Sequence, residues 1–170
     1  GCLSIEADVV VRGGTLMVGH GAGEVTPERT LTSMYLSPLA EIVRARQQVY
    51  PQDQRPLILL VDLKTSWSSS KPALKAVLEA YADILKAPAG HHQGDGGVLL
   101  AVSGSGSDQK GAPCGIDGRI SGLGDQLTFL EKPTISESFR SRFRRSGLGT
   151  LDTDQKTKLR ALSKRVKGEG

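Results

Sequence analysis

The sequence predicts an α/β fold built around a parallel sheet, and three observations carry that prediction. Residues 57–61 (LILLV) and 98–102 (VLLAV) are short, continuously apolar runs of strand length. Runs of that kind suit strands covered on both faces, as in parallel sheets. Between them, Leu74, Val77, Leu78, Tyr81 and Leu85 recur at helical spacing. Strand, helix and strand in that order make a βαβ unit, in which the helix carries the chain back and leaves the strands parallel.

The first element is residues 4–12 (SIEADVVVR), where Ile5, Ala7, Val9 and Val11 alternate with Glu6, Asp8, Val10 and Arg12. Period-two alternation is a strand signal, and it puts Glu6 and Asp8 on one face. Gly13-Gly14 and a second apolar run, residues 15–18, follow. Two strand-like runs about a Gly-Gly pair read as a hairpin, because glycine supplies the positive φ such a turn needs. That hairpin returns His20 towards the end where Glu6 and Asp8 sit. On the residues alone, two carboxylates and a nearby histidine leave two readings open. One is a divalent-metal site with an acid/base, since oxygen ligands suit Mg²⁺ or Ca²⁺. The other is a solvated strand face beside a turn.

A Gly- and Pro-punctuated loop leads to Ser37-Pro38, which reads as a helix start with Ser37 as N-cap. Leu39, Ile42, Val43, Val49 and Tyr50 form its apolar stripe, and Pro51 is expected to end it. Asp62 and Lys64 then close the strand at 57–61, pointing to one face. The next helix is expected to begin near Ser70, with Pro72 early in it. The strand at 98–102 ends at Ser103, followed by a Gly/Ser-rich loop; residues 127–130 suggest another strand. Residues 134–150 carry no clear signal, and Asp152 or Thr153 caps a last helix with Leu159, Leu162 and Val166 on one face. In βαβ folds function gathers at the C-terminal ends of strands, where Asp62, Lys64 and Ser103 fall.

A chain of 170 residues is of one-domain length and can bury a sizeable core. It does not begin with Met and enters its first strand almost at once, so it reads as an expressed piece, a processed chain or a gene fragment. No apolar run approaches the ~20 residues of a membrane-crossing helix. The net charge of +4 is uneven: residues 140–170 hold ten Lys/Arg against three acids, net +7, leaving −3 elsewhere. Such a basic stretch reads first as a solvated helix face, with an anionic lipid surface as its other use. No aromatic residue is interleaved with the charges after Phe143, and nucleic acid is not expected as a partner. Cys2 and Cys114 fit no metal spacing and read as free thiols.

Taken in order, E-x-D, a histidine twelve residues after the aspartate, and a buried strand ending in D-L-K resemble the phosphatidylinositol phospholipase C-like and glycerophosphodiester phosphodiesterase superfamily. Within it, SIEADVVVRGGTLMVGH, LTSMYLSPLAEIVRA and LILLVDLKT are similar to the branch named for altered inheritance of mitochondria protein 6. The resemblance covers most of residues 3–103. It implies a (β/α)₈ TIM-type barrel with its site at the C-terminal face. Eight βα units need ~250 residues, so the chain is expected to form a partial barrel, a single incomplete domain over 1–170.

The resemblance further implies that Glu6, Asp8 and Asp62 are metal ligands, for Mg²⁺ or Ca²⁺. His20 matches the second of two catalytic histidines, and Lys64 matches a basic residue that contacts the phosphate. No residue matches the first histidine; His91 and His92 fall in a turn between helix and strand and read as surface residues. Losing one acid/base partner typically costs about 10²–10⁴ in rate. The expected function is a metal-dependent phosphoric diester hydrolase acting on a phosphodiester or lysophospholipid-like small molecule. The alternative is a non-catalytic remnant that binds anionic phosphate or lipid surfaces.

Overall fold

The structure is a computed structural model that describes residues 2–50, 52, 55–86, 96–104, 112–118, 133–135 and 151–168. Strands β1 (Ser4–Arg12) and β2 (Thr15–Val18) form an antiparallel hairpin, with Val9 opposite Val18 and Arg12 opposite Thr15. Gly13 and Gly14 turn the chain at φ +58° and +77°, the left-handed region that glycine enters without a Cβ penalty. Next come helix α1 (Ser37–Arg46), β3 (Leu57–Leu63), helix α2 (Trp67–Ala80) and β4 (Val98–Gly104). Short strands β5 (Gly115–Gly118) and β6 (Thr134–Ile135) and helix α3 (Thr153–Gly168) follow.

The sheet order is β2-β1-β3-β4-β5-β6, and every pair but the hairpin is parallel. The parallel strands add in chain order, always on the same side. Among the described residues the sheet does not close.

Strand periodicity divides the sheet into two faces. Ala7, Val9, Leu57, Leu59, Val61, Leu63, Val98, Leu100 and Val102 share one face and are buried in a single core cluster. Leu39, Ala40 and Val43 of α1 and Ala73, Leu74 and Leu78 of α2 cover that face. The other face holds Glu6, Asp8, Ile58, Leu60 and Asp62. There β3 is only half-buried, so its apolar run is fully covered on the helix side alone. β4 is buried on both faces from Val98 to Val102.

Several element boundaries differ from those the sequence predicts. Helical winding begins before Ser37, in a π-helical turn over Thr32–Leu36 that runs straight into α1. Thr30 starts it: Ser33 N–H donates to Thr30 Oγ1 at 3.0 Å, and Thr30 N–H donates to Ser33 Oγ at 3.1 Å. This reciprocal pair satisfies the first free donors as a capping box does. Ser37 is therefore inside the helix and shares a 2.9 Å hydrogen bond with the Tyr81 hydroxyl. The wide turn sits directly before Pro38, which has no N–H for the carbonyl four residues back.

Helix α1 also stops short of Pro51. Gln47 takes a left-handed conformation (φ 64°) and donates to the Val43 carbonyl, so Val49 and Tyr50 pack from outside the helix. Helix α2 starts at Trp67, before Ser70, because Ser66 caps it by accepting from Ser69 N–H. Ser70 is instead buried, sharing a 2.9 Å hydrogen bond with Thr65. The cap of α3 is as predicted: Gln155 N–H donates to Asp152 Oδ1 at 2.8 Å and Asp152 N–H to Gln155 Oε1 at 3.2 Å. Cys2 is an exposed free thiol and Cys114 a buried one. His91, His92, the strand expected at 127–130 and the basic residues of 140–150 lie outside the described residues. No described helix is long and apolar enough to cross a membrane.

Candidate metal centre

Three carboxylates meet where the C-terminal end of β3 pairs with the middle of β1. Glu6 and Asp8 are two residues apart on β1, which puts both on the face away from the helices. The parallel register sets Asp8 opposite Asp62 and Glu6 opposite Leu60. One oxygen from each of Glu6, Asp8 and Asp62 lies within 4.8 Å of the others. Among the described residues this is the group of three or more candidate ligands that converges, and His20 is not in it. At 4.8 Å two like charges repel by about 3.5 kcal/mol at an effective dielectric of ~20, more when closer and less where water screens them.

Lys64 offsets that repulsion. It follows Asp62 by two residues, so it shares the carboxylate face, and its backbone N–H continues the ladder by donating to the Val9 carbonyl at 2.8 Å. Its Nζ lies 2.9 Å from Asp8 Oδ1 and 2.5 Å from Asp62 Oδ2. The hydrogen bonds to Asp62 first and Asp8 second, with their charges, hold the ammonium pKa above the usual lysine value, against a smaller opposing effect of burial. The loop beyond is fixed by Thr65, whose hydroxyl accepts from Val11 N–H at 3.2 Å.

His20 sits beside this group without touching it. Gly19 N–H donates to the Asp8 carbonyl at 2.9 Å, which extends the hairpin to the level of Asp8. His20 N–H then donates to Glu24 Oε2 at 3.0 Å, closing the turn. The imidazole itself is exposed at the rim.

The donor set fits a hard divalent cation. Carboxylate oxygens are the ligands Mg²⁺ and Ca²⁺ take, at ~2.1 Å and ~2.4 Å respectively. Oxygens no more than 4.8 Å from one another are close enough for one such ion to draw on all three. On the same face further along the sheet, Asp117 accepts from Thr134 Oγ1 at 2.9 Å.

One contributor escapes sequence reasoning. Gly104 ends β4 at φ +86°, and a Cβ there would fall on Asp62 Oδ1 and the Leu63 carbonyl. The glycine lets the β4 backbone lie against the Asp62 carboxylate. The only sequence signal is a Gly/Ser-rich run just after an apolar strand, which marks a loop and says nothing of what the glycine abuts.

Comparison with known proteins gives two matches over this region. The family model described as the AIM6-like phosphodiesterase domain matches residues 1–106, which hold all five candidate residues and Gly104. The altered inheritance of mitochondria protein 6 homolog of Arthroderma benhamiae is 32% identical over 96 residues. That alignment covers 49% of this chain and 31% of the relative, so the chain spans about a third of the protein it matches. No solved structure matches the chain.

Proposed function

Because the chain belongs to the AIM6-like phosphodiesterase family, a branch of the phospholipase C-like phosphodiesterase superfamily, we propose that it is a metal-dependent phosphoric diester hydrolase. Its substrate class is a glycerophosphodiester or lysophospholipid-like phosphodiester, and its fold is an arc of a (β/α)₈ barrel. The one-way strand order supports the barrel, since a doubly wound sheet reverses direction at a switch point. The observation that carries the function is the convergence of Glu6, Asp8 and Asp62 on one face of two parallel strands, with Lys64 paired to two of them.

In this reading the three carboxylates hold Mg²⁺ or Ca²⁺. The bound cation would supply charge neutralisation and polarisation of a phosphoryl oxygen. Lys64 adds a second positive charge that draws the anionic diester to this face. His20, on the rim, protonates the leaving alkoxide or accepts a proton from the attacking hydroxyl, since an imidazole can both give and take a proton. The exposed turn leaves its ring free to reach a substrate seated over the carboxylates.

The test is hydrolysis of glycerophosphocholine and of a lysophospholipid by the chain with Mg²⁺ or Ca²⁺, and with EDTA. Cleavage that EDTA abolishes and Asp8→Asn removes supports the proposal. Cleavage indifferent to both sinks it.

A second reading has its own observation. Helix α3 exposes Lys156, Lys158, Arg160 and Lys164, with Leu159 exposed among them. That composition suits peripheral contact with an anionic membrane. It predicts binding to phosphatidylserine vesicles that weakens with salt and ignores Asp8→Asn.

A further inference from the structure

We propose that Lys64 is the built-in counter-cation of the carboxylate trio, displaced when a divalent cation binds, so that one site alternates between a tethered ammonium and a metal ion. The inference rests on the metal-centre reading above. It concerns the atoms the two cations share.

The two oxygens of Asp62 face different neighbours. Its Oδ1 lies against the Gly104 backbone, where a Cβ at residue 104 would sit. The other oxygen, Oδ2, is the atom that Lys64 Nζ holds at 2.5 Å. On Asp8, the same ammonium holds Oδ1 at 2.9 Å. A cation drawing ligands from β1 and β3 through these atoms would contend with the ammonium for them. The exchange is local. Lys64 is the last polar residue of the D-L-K run, at the rim of the strand ends, and its side chain is 22% exposed. Four unbranched methylenes let the head swing into solvent while the stem stays on the sheet.

Net charge by itself permits either arrangement: three carboxylates carry −3, so a divalent ion leaves −1 once the lysine has gone and 0 if it stays. What favours alternation is that the two cations would contend for the same carboxylate oxygens and repel each other at close range. The released head group is then the one positioned to meet a phosphate on that face. Metal binding would in this way switch Lys64 from pairing within the protein to pairing with substrate.

The experiment uses Mg²⁺ and Ca²⁺ alone as probes, with calorimetric titration of the full chain and of Lys64→Met. Removing the competitor should tighten cation binding about three- to tenfold, the worth of one partly exposed ion pair. The metal-induced rise in melting temperature should grow with it. In the wild-type chain, amine acetylation mapped by mass spectrometry should be slow at Lys64 without cation and faster at saturation. Lys71 and Lys75, exposed on α2, serve as unchanged controls. Equal or weaker binding in Lys64→Met, or an unchanged Lys64 labelling rate in a wild-type chain that does bind, overturns the exchange while leaving the metal centre standing. No binding by either protein overturns the metal centre itself, and the exchange with it. If Lys64→Met fails to fold, Lys64→Gln and the wild-type labelling decide the matter.

Discussion

Gly104 leaves the space that the carboxylate of Asp62 fills. The two residues end neighbouring strands, with Asp62 opposite Ser103 and Gly104 opposite Leu63. A side chain at 104 would collide with Asp62 Oδ1 and with the Leu63 backbone, and φ +86° is costly for any residue bearing a Cβ. Asp62 is thereby pinned on one side by backbone and on the other by Lys64.

Gly104→Ala is expected to move Asp62 out of the trio. The backbone term costs about 1–3 kcal/mol of stability, read by denaturant unfolding. Mg²⁺ affinity should fall about tenfold or more, as when a group that orients a ligand is lost. A variant that loses stability but keeps wild-type Mg²⁺ affinity would show that Gly104 serves the strand end alone.

The trio is legible in the sequence because strand periodicity is local: E-x-D on an alternating run shares a face whatever the fold around it. Asp62 and Lys64 are legible for the same reason. What joins the two pairs is the parallel register of β1 on β3, a long-range property that periodicity does not encode. Gly104 belongs to a third strand and shows only in three dimensions. The helix starts differ from the sequence signals for a related reason. Ser37-Pro38 and Ser70-x-Pro72 look like caps, yet the capping hydrogen bonds are made by Thr30, about two turns before Ser37, and by Ser66, about one turn before Ser70. Several serines and threonines compete for each cap, and the winner depends on which backbone N–H groups are free.

Asp8→Asn should separate charge from packing. The amide keeps the shape of the carboxylate and removes one charge from the trio, so the metal-free chain should melt close to the wild-type temperature. The stabilisation by Mg²⁺ should vanish; for a site filled at a hundred times Kd it amounts to about 2.7 kcal/mol. Thermal melts with and without cation check this. An undiminished Mg²⁺ shift in Asp8→Asn would remove Asp8 from the ligand set.

Core and surface contacts should differ sharply in weight. Leu59 is fully buried at the centre of β3, within the face that α1 and α2 cover. Leu59→Ala should cost about 2–5 kcal/mol, from lost transfer energy and the cavity left behind. Arg44 and Asp83 form a two-pronged pair at 2.7 and 3.2 Å, but both side chains are more than half exposed. Arg44→Met should leave the melting temperature nearly unchanged, as exposed pairs usually do. Equal losses in the two variants would mean that the clasp between α1 and the turn after α2 matters as much as the core beneath it.

Cys114 gives the chain an alkaline limit that can be assigned to one atom. Its side chain is packed in the core cluster, and burial pushes the thiol pKa up to about 12 from 9.0. In the unfolded chain the thiol ionises near its ordinary value, so between those two pH values the unfolded state has lost a proton the folded state keeps. Stability then falls as pH rises, because the slope follows the protons bound by the unfolded state minus those bound by the folded one. Once the unfolded thiol is ionised, the slope from this group is about 1.4 kcal/mol per pH unit. Other groups titrate there too, so the measurement is the difference in unfolding free energy between wild type and Cys114→Ala, from pH 8 to pH 10.5. That difference should be flat below pH 9 and then shift steadily against the wild type. Cys2, exposed at the start of the chain, should meanwhile react with a thiol reagent in the folded protein, and Cys114 only on unfolding. Parallel pH curves for the two proteins, or two fast-reacting thiols, would place Cys114 outside the core.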